Sequence, residues 1–328
     1  MRSLIRKHRL GKTIIAQAAL LALALAFCAP FIWMLSTSLK TPDHIQSDST
    51  DPIPKAWFLA YHGRRVRVRP LRRRRGRLEA QIRGGPDRGR TLLVRPDRIH
   101  NGVYLDWRNY EKGFEEFPFL RYLWNTLVIC GLSVLGTVLS CSLVAYGLAC
   151  VEWSGREALF WVMLCTMMIP GQVTMIPLFI LFKNLGWINT ILPLVVPTFL
   201  GNAFFIFLLR QFYRTIPSSL LEAARIDGGG DLRIWARIIL PLSKPALLIV
   251  ALFTFINSWN DFLNPLIYLL NDRKYTLSIG LTMFQGQYNS DWGPLMAMSL
   301  IMSLPIIILF FLTQKTFIQG VKLTGVKG

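Results

Sequence analysis

The apolar positions of this chain gather into six long runs, separated by polar stretches of very different length. The runs occupy residues 13–39, 122–151, 158–182, 187–209, 245–270 and 294–314. Each approaches or exceeds the roughly 20 residues a helix needs to cross a bilayer. The pattern predicts an all-α polytopic membrane protein with six transmembrane helices. Arg2, Arg6, Lys7, Arg9 and Lys12 precede the first run, and no charge follows until after Leu39. That run is too long for the apolar core of a signal peptide, and a bulky Phe27 precedes Cys28. It is therefore expected to be a retained span, with the basic residues 1–12 in the cytoplasm.

Two of these polar stretches carry a pattern of their own. The longer, 40–118, holds short segments at Ala56–Tyr61, Arg64–Leu71, Arg77–Ile82 and Thr91–Val94, some of them alternating with arginine. Gly63, Gly76 and Gly84-Gly85-Pro86-Asp87 punctuate these segments. The pattern predicts a small β-rich insert at about 56–107, a meander or SH3-like unit of three to five strands.

The second stretch, 212–244, contains PSSLLEAARIDGGGDLRIWARIILP from Pro217 to Pro241. It reads as two short helices hinged on glycine. Ser219 and Glu222 have capping-box spacing, and Gly228, Gly229 and Gly230 are expected to stop the first helix. Asp231 is expected to cap the second, with Leu232, Trp235, Ile238 and Ile239 on one face and Pro241 at its close. Such a unit at a membrane surface suits the groove of another protein, or serves as a plain connector.

Charge changes the picture in one place. The formal net charge is +19, and residues 64–98 carry fourteen arginines against Glu79, Asp87 and Asp97, a surplus of eleven. Arginine runs such as Arg72–Arg75 either grip phosphates or an acidic polymer or form a solvated face. With six spans and both termini inside, 212–244 and the tail 315–328 lie in the cytoplasm. The insert then lies outside, since larger folded loops translocate with little regard for charge.

Candidate chemistry is sparse. Cys28, Cys130, Cys141, Cys150 and Cys165 lie in or beside apolar runs without ligand spacing and are expected to be small buried apolar residues, and the four histidines are scattered, so no metal site is expected. Gly11-Lys12-Thr13 lacks the glycine and the strand of a phosphate loop. The spans carry almost no ionisable group, which disfavours a proton-coupled secondary transporter. Asp261 is the exception, in Asn257-Ser-Trp-Asn-Asp261-Phe-Leu-Asn264. On a helix, Asn257, Asn260, Asp261 and Asn264 share one face, with Trp259 nearby. This face either lines a path for a hydroxyl-rich solute or bonds to neighbouring helices.

Glu222-Ala223-Ala224, three residues, Gly228, nine residues, then Ile238-x-Leu240-Pro241 resembles the EAA loop of bacterial ABC importer permeases. The stretches at Met168–Val173 (MIPGQV), Ser258–Phe262 (SWNDF), Phe284–Tyr288 and Gln319-Gly320 to Gly328 resemble the maltose-type carbohydrate permeases of that family. The resemblance covers residues 117–328, and 1–45 more loosely. It implies a type I ABC importer permease in the bacterial inner membrane, moving a sugar or sugar-like solute by alternating access. It further implies a second permease as heterodimer partner, a separate ABC ATPase dimer and an extracytoplasmic solute-binding protein.

By the same resemblance Glu222, Ala223, Ala224, Asp227, Gly228, Ile238, Leu240 and Pro241 couple the permease to the ATPase, and Gln319, Gly320 and Lys327 belong to a tail that reaches it. No catalytic residue or cofactor is expected in this chain, ATP and magnesium being held by the partner ATPase. Membrane lipid is an expected partner and nucleic acid is not. A membrane-anchored polyanion- or nucleic-acid-binding protein, and an ABC permease for a solute such as a glycerophosphate, are the alternatives. The insert departs from the family pattern, and the resemblance assigns it no role.

Overall fold

A computed structural model describes residues 2–47, 50–74, 76–286 and 290–325. The chain divides into two compact units, Met1–Phe117 with Leu281–Ser303, and Pro118–Gly280 with Leu304–Gly328.

The first unit begins with helix α1 (Arg2–Ser38) and the short α2 (Pro42–Ser47). A five-stranded antiparallel sheet follows, built from β1 (Lys55–Tyr61), β2 (Arg64–Arg74), β3 (Arg77–Ile82), β4 (Thr91–Val94) and β5 (Ile99–Val103) in the order β4-β3-β2-β1-β5. The four expected strands are present, and a fifth returns beside the first. The β1–β2 turn is a two-residue hairpin whose His62 and Gly63 both have positive φ (47° and 71°), the handedness that matches strand twist. Pro70, which cannot donate to a ladder, sits where the β2–β3 register shifts.

Alternation explains the arginine-rich strand. Val66 and Val68 turn to a small core built on Leu59, Val68, Ala80 and Ile82. On the opposite face Arg65 lies over the Phe58 ring at 4.5 Å and Arg67 over the Tyr104 ring at 4.9 Å. Helix α3 (Arg108–Glu116) follows, and Asn109 Nδ2 donates to the carbonyls of Ser38 and Lys40 at 2.8 Å each. Gly113 and Gly293 admit close approach, since a Cβ at the first would meet Met298 Sδ and at the second Asn109 Oδ1 within 3 Å.

The second unit is helical. Helix α4 (Phe119–Ala149) presents small buried residues, Ser133, Gly136, Thr137, Cys141, Ser142 and Ala145, to its neighbours. Helices α5 (Arg156–Thr166) and α6 (Gly171–Asn184) are bent by 96° at a break ending in Pro170, which takes an extended conformation. Helix α7 (Leu192–Val195) runs through a 3-10 turn to Gly201 (φ +93°) and into α8 (Ala203–Tyr213), where Asn202 Oδ1 accepts from the Phe204 and Phe205 N–H groups. Then come α9 (Ser218–Ile226), α10 (Asp231–Ile234), α11 (Leu240–Leu242), α12 (Lys244–Asn260), α13 (Leu263–Tyr268) and α14 (Leu277–Leu281); the last helix, α15 (Trp292–Gly325), belongs to the first unit up to Ser303 and to the second from Leu304.

Four helical stretches are long and apolar enough to cross a membrane, Thr13–Ser38, Phe119–Ala149, Leu192–Tyr213 and Trp292–Gln314. Counting each of two bent pairs as one span, α5 with α6 and Asp231–Leu242 with α12, gives up to six. The expected fifth run, 245–270, is not one helix, because Asp261 leaves helical geometry (φ −66°, ψ 118°) and ends α12. Cys28 and Cys165 are not buried by protein as expected; both stand on apolar helix surfaces, whereas Cys130 and Cys141 are buried. At the C-terminus α15 continues as helix through Gly325, so Gln319 and Gly320 extend it, and Lys327 lies outside the described residues.

Candidate functional site

Two features of the helical unit draw on its polar residues. The first is the segment from Pro217 to Leu242. The expected capping box does not form: α9 begins at Ser218, directly after an extended Pro217, and no side chain caps it. The Pro217 carbonyl accepts the Leu220 N–H, so the helix has already started at Ser219.

The glycine stop is as expected. Gly228 has φ +78°, its N–H donates to the Arg225 carbonyl at 3.0 Å, and Gly229 N–H donates to the Ala224 carbonyl at 2.9 Å. These two bonds form the Schellman closure, which satisfies carbonyls left free at a helix end. A Cβ on Gly229 would lie 2.6 Å from that Ala224 oxygen, so this position also excludes a side chain.

The second half differs from expectation in three ways. Gly230, not Asp231, is the cap of α10; Asp231 instead accepts the Tyr146 hydroxyl at 2.9 Å and faces Arg225 at 3.7 Å. Leu232 is 68% exposed, whereas Ile234 and Ile239 are fully buried. The cause is a π-helical turn over Trp235–Ile239, which aligns positions five apart, so Ile234 and Ile239 replace the expected i, i+3 stripe. Trp235 and Ile238 pack beside them only partly buried. The helix also runs past Pro241 through Leu242, and the chain bends by 83° before α12.

Anchors from other helices hold this segment. Leu221, Ile234 and Ile239 join a core with Tyr146, Leu148, Phe205 and Leu209. Arg225 Nη2 donates to the Cys150 carbonyl at 2.8 Å. Buried Arg210 ties the helices beneath: its Nε donates to the Leu148 carbonyl at 3.0 Å, its Nη2 meets Glu157 Oε1 at 2.5 Å, and it lies 3.8 Å over the Phe160 ring. Sequence patterning singles out neither Tyr146, Arg210 nor Asp231 as an anchor; the one signal for Arg210 is its place directly at the end of an apolar run.

The outward side is left bare. Glu222, Ala223, Asp227, Gly228 and Pro241 are exposed, and Ile226 is 86% exposed. Ala224, Ile238 and Leu240 are half-buried. The predicted coupling residues are thus gathered on one folded segment, with Glu222 to Gly228 on its open surface.

The second feature is an open cavity of about 650 Å³ lined by Asn257, Asn260, Asp261 and Asn264, with Thr137, Thr198, Asn202, Thr254 and Ser258. The four predicted polar residues do converge, but not on one continuous helix. Asn257 and Asn260 lie on α12, Asp261 on the break, and Asn264 on α13, where Asp261 Oδ1 accepts its backbone N–H (3.2 Å) and Oδ2 its Nδ2 (2.9 Å). Trp259 is not among the lining residues; it is buried and stacks on Phe255 at 5.4 Å. At about 100° per residue Trp259 lies nearly opposite Asn257 on α12 and about a quarter-turn from Asn260, which carries it away from the cavity. Thr254 Oγ1 is buried with no hydrogen-bond partner among the described residues. The cavity offers amide, hydroxyl and carboxylate groups and an aromatic wall at Phe205, a set able to hydrogen-bond a polyhydroxylated molecule. Among the described residues no group of three or more His, Cys, Asp or Glu stands together as a metal site.

Bent apolar helices, an exposed helix–glycine–helix and a polar cavity at a helix break define a membrane-transport subunit. The chain belongs to the family described as binding-protein-dependent transport system inner membrane component, which matches residues 142–323. It is a multi-pass ABC transporter permease subunit and not an enzyme.

Among its relatives is the arabinooligosaccharides transport system permease protein AraQ of Bacillus subtilis (strain 168), 35% identical over 246 residues, covering 73% of this chain and 87% of that one. The trehalose/maltose transport system permease protein MalG of Thermococcus litoralis is 35% identical over 213 residues, 64% of this chain and 76% of its own length. A crystal structure of a bacterial ABC transporter involved in the import of the acidic polysaccharide alginate has a chain of the same fold, with TM-score 0.68, 23% identity and coverage of 92% and 95%.

Proposed function

We propose that this chain is one permease subunit of an ATP-driven importer for a sugar or sugar-like solute, coupled to a separate ATPase through residues 217–242. The observation that carries this reading is α9 with its glycine stop: anchored from beneath by Leu221 and Arg225, it leaves Ala223, Ile226 and Asp227 bare. A short helix with one apolar face in solvent suits a groove on a partner. The related permeases named for arabinooligosaccharides and for trehalose and maltose support a saccharide as solute.

In this reading the chain makes six spans, with both termini and the 217–242 segment in the cytoplasm. Its partners are a second permease, an ABC ATPase dimer that binds ATP and magnesium, and an extracytoplasmic solute-binding protein. Nucleotide-driven movement of the ATPase pulls on α9. The Arg225, Asp231 and Tyr146 contacts and the Ile234–Ile239 packing carry that displacement to α4 and α12, and α12 ends at the polar cavity. Motion of α12 against α4 then turns Asn257, Asn260, Asp261 and Asn264 toward one side of the membrane or the other.

The test is solute uptake and ATPase co-purification for Glu222→Lys and for Gly228→Leu in membranes where both variants insert at normal levels. The expected result is loss of uptake with insertion unchanged. Normal uptake by either variant, with the ATPase still recovered, overturns the coupling role.

A further inference from the structure

The arginines of the insert do not all face solvent. Arg67 and Arg69 of β2, Arg83 and Arg88 beyond β3, and Arg108 and Lys112 of α3 line a cleft of about 220 Å³ beside α2. Two carboxylates oppose these six cations, Asp43 and Asp106. Asp43 Oδ1 lies 3.1 Å from Arg69 Nε and 3.4 Å from Arg83 Nη2. Asp106 takes the fork of Arg108 at 2.8 and 2.9 Å and faces Arg67 Nη1 at 3.6 Å. Each carboxylate is therefore shared between two guanidinium groups, Lys112 Nζ faces Asp291 at 3.8 Å, and Arg88 makes no ion pair among the described residues, so the cleft keeps a surplus of three positive charges.

The donors are also unequally satisfied. Arg67 Nη1 and Arg83 Nε are shielded from solvent and have no hydrogen-bond acceptor among the described residues. Leaving a buried donor unmet is unfavourable, more so for a charged group, and an oxyanion is the partner a guanidinium fork fits. A core-stabilising role does not explain the arrangement, because these side chains lie on the face away from Leu59, Val68, Ala80 and Ile82.

The cleft shares Pro42, Gln46 and Lys112 with a larger cavity of about 700 Å³, which also presents Trp33 and Trp292, each roughly half exposed. Cationic cleft and aromatic cavity thus adjoin within the first unit. Stacking rings suit the carbon face of a sugar, and the forks suit a carboxylate attached to it.

We infer that this paired site binds a uronic-acid saccharide, with its carboxylate held by Arg67 and Arg83 and its ring against Trp33 and Trp292. The inference rests on the reading that the chain is a saccharide permease, and it narrows the solute to an acidic one. It gives the insert a role in collecting that solute.

The test is calorimetric titration of the purified full-length protein with trigalacturonate and with its uncharged methyl ester at low ionic strength. The acid is expected to bind at least tenfold more tightly than the ester, and R67Q or R83Q to abolish that preference, since one charge-assisted hydrogen bond accounts for about tenfold. R88Q, at a guanidinium with no ion pair among the described residues, is expected to weaken acid binding several-fold with an unchanged melting curve, which separates recognition from folding. W292A is expected to weaken acid and ester alike.

Equal binding of acid and ester overturns the proposal, as does a preference that survives R67Q, R83Q and R88Q. So does inorganic phosphate displacing the trisaccharide at equal concentration, which would mark a site for any small anion. If the ATPase co-purifies while the uronate preference is missing, this inference fails alone. If no ATPase is recovered, the permease reading beneath it fails too.

Discussion

The sheet of the insert and the 217–242 segment are both small polar pieces set between apolar helices, yet they are held in opposite ways. The sheet satisfies its own backbone, each strand bonding its neighbours in the order β4-β3-β2-β1-β5, over a core of four buried side chains. The 217–242 segment has no core of its own. Leu221, Ile234 and Ile239 are buried only because α4, α8 and α12 supply the other side, and its polar fixings run to Tyr146 and Cys150. A self-contained sheet can carry a charged face without disturbing anything else. A segment held by distant helices moves when they move, which is what a coupling element requires.

Trypsin reads this contrast directly, since arginines lie in both pieces. The largest effect is expected from Ile82→Asp. A carboxylate in the four-residue core costs at least about 3 kcal/mol, so cleavage within residues 64–98 rises more than tenfold. Cleavage at Arg225, Arg233 and Arg237 should not change; if it rises equally, the sheet is not self-contained.

Next comes Ile239→Ala, which empties a fully buried site shared with α4 and α12. A loss of about 2–5 kcal/mol is expected there, with faster cleavage at Arg225, Arg233 and Arg237 and none added in the insert. An unchanged digestion pattern would show that the π-turn residues do not hold the segment. The smallest effect is expected from Tyr146→Phe, which removes one hydrogen bond to Asp231 worth about 0.5–1.5 kcal/mol. A rise in cleavage of a few-fold, confined to the 217–242 segment, fits that value, and an effect as large as that of Ile239→Ala would make the Tyr146–Asp231 bond the principal anchor.

Legibility followed the same division. Strands β1 to β4 were readable because period-2 alternation and the glycines at 63 and 76 act over a few residues, whereas β5, Ile-His-Asn-Gly-Val, alternates too weakly to announce itself. The glycine stop after α9 was readable because a positive φ at Gly228 is a local demand. The caps differ from the local signal: Ser219 and Asp231 have the right chemistry, but the caps are Pro217, two residues before Ser219, and Gly230, one before Asp231. Asp231 was then free to receive Tyr146, 85 residues away in the chain.

The polar face expected at Asn257, Asn260, Asp261 and Asn264 presupposes one continuous helix, which the structure interrupts at Asp261. The residues meet nonetheless, because the break at Asp261 redirects Asn264 toward the same cavity. Trp259 neighbours them in sequence but lies in the core.

By itself the sequence determined the apolar runs, the existence and approximate extent of the insert, the glycine hinge and the family. These depend on run length, on short-range periodicity and on backbone conformations that only certain residues adopt. The tertiary structure alone decided which isoleucines anchor the 217–242 segment, where α12 ends, and that the insert's arginines crowd around Asp43 and Asp106 with donors to spare. Each of those outcomes rests on a partner brought from a distant part of the chain, and spacing along a sequence does not encode which distant surface a side chain will meet.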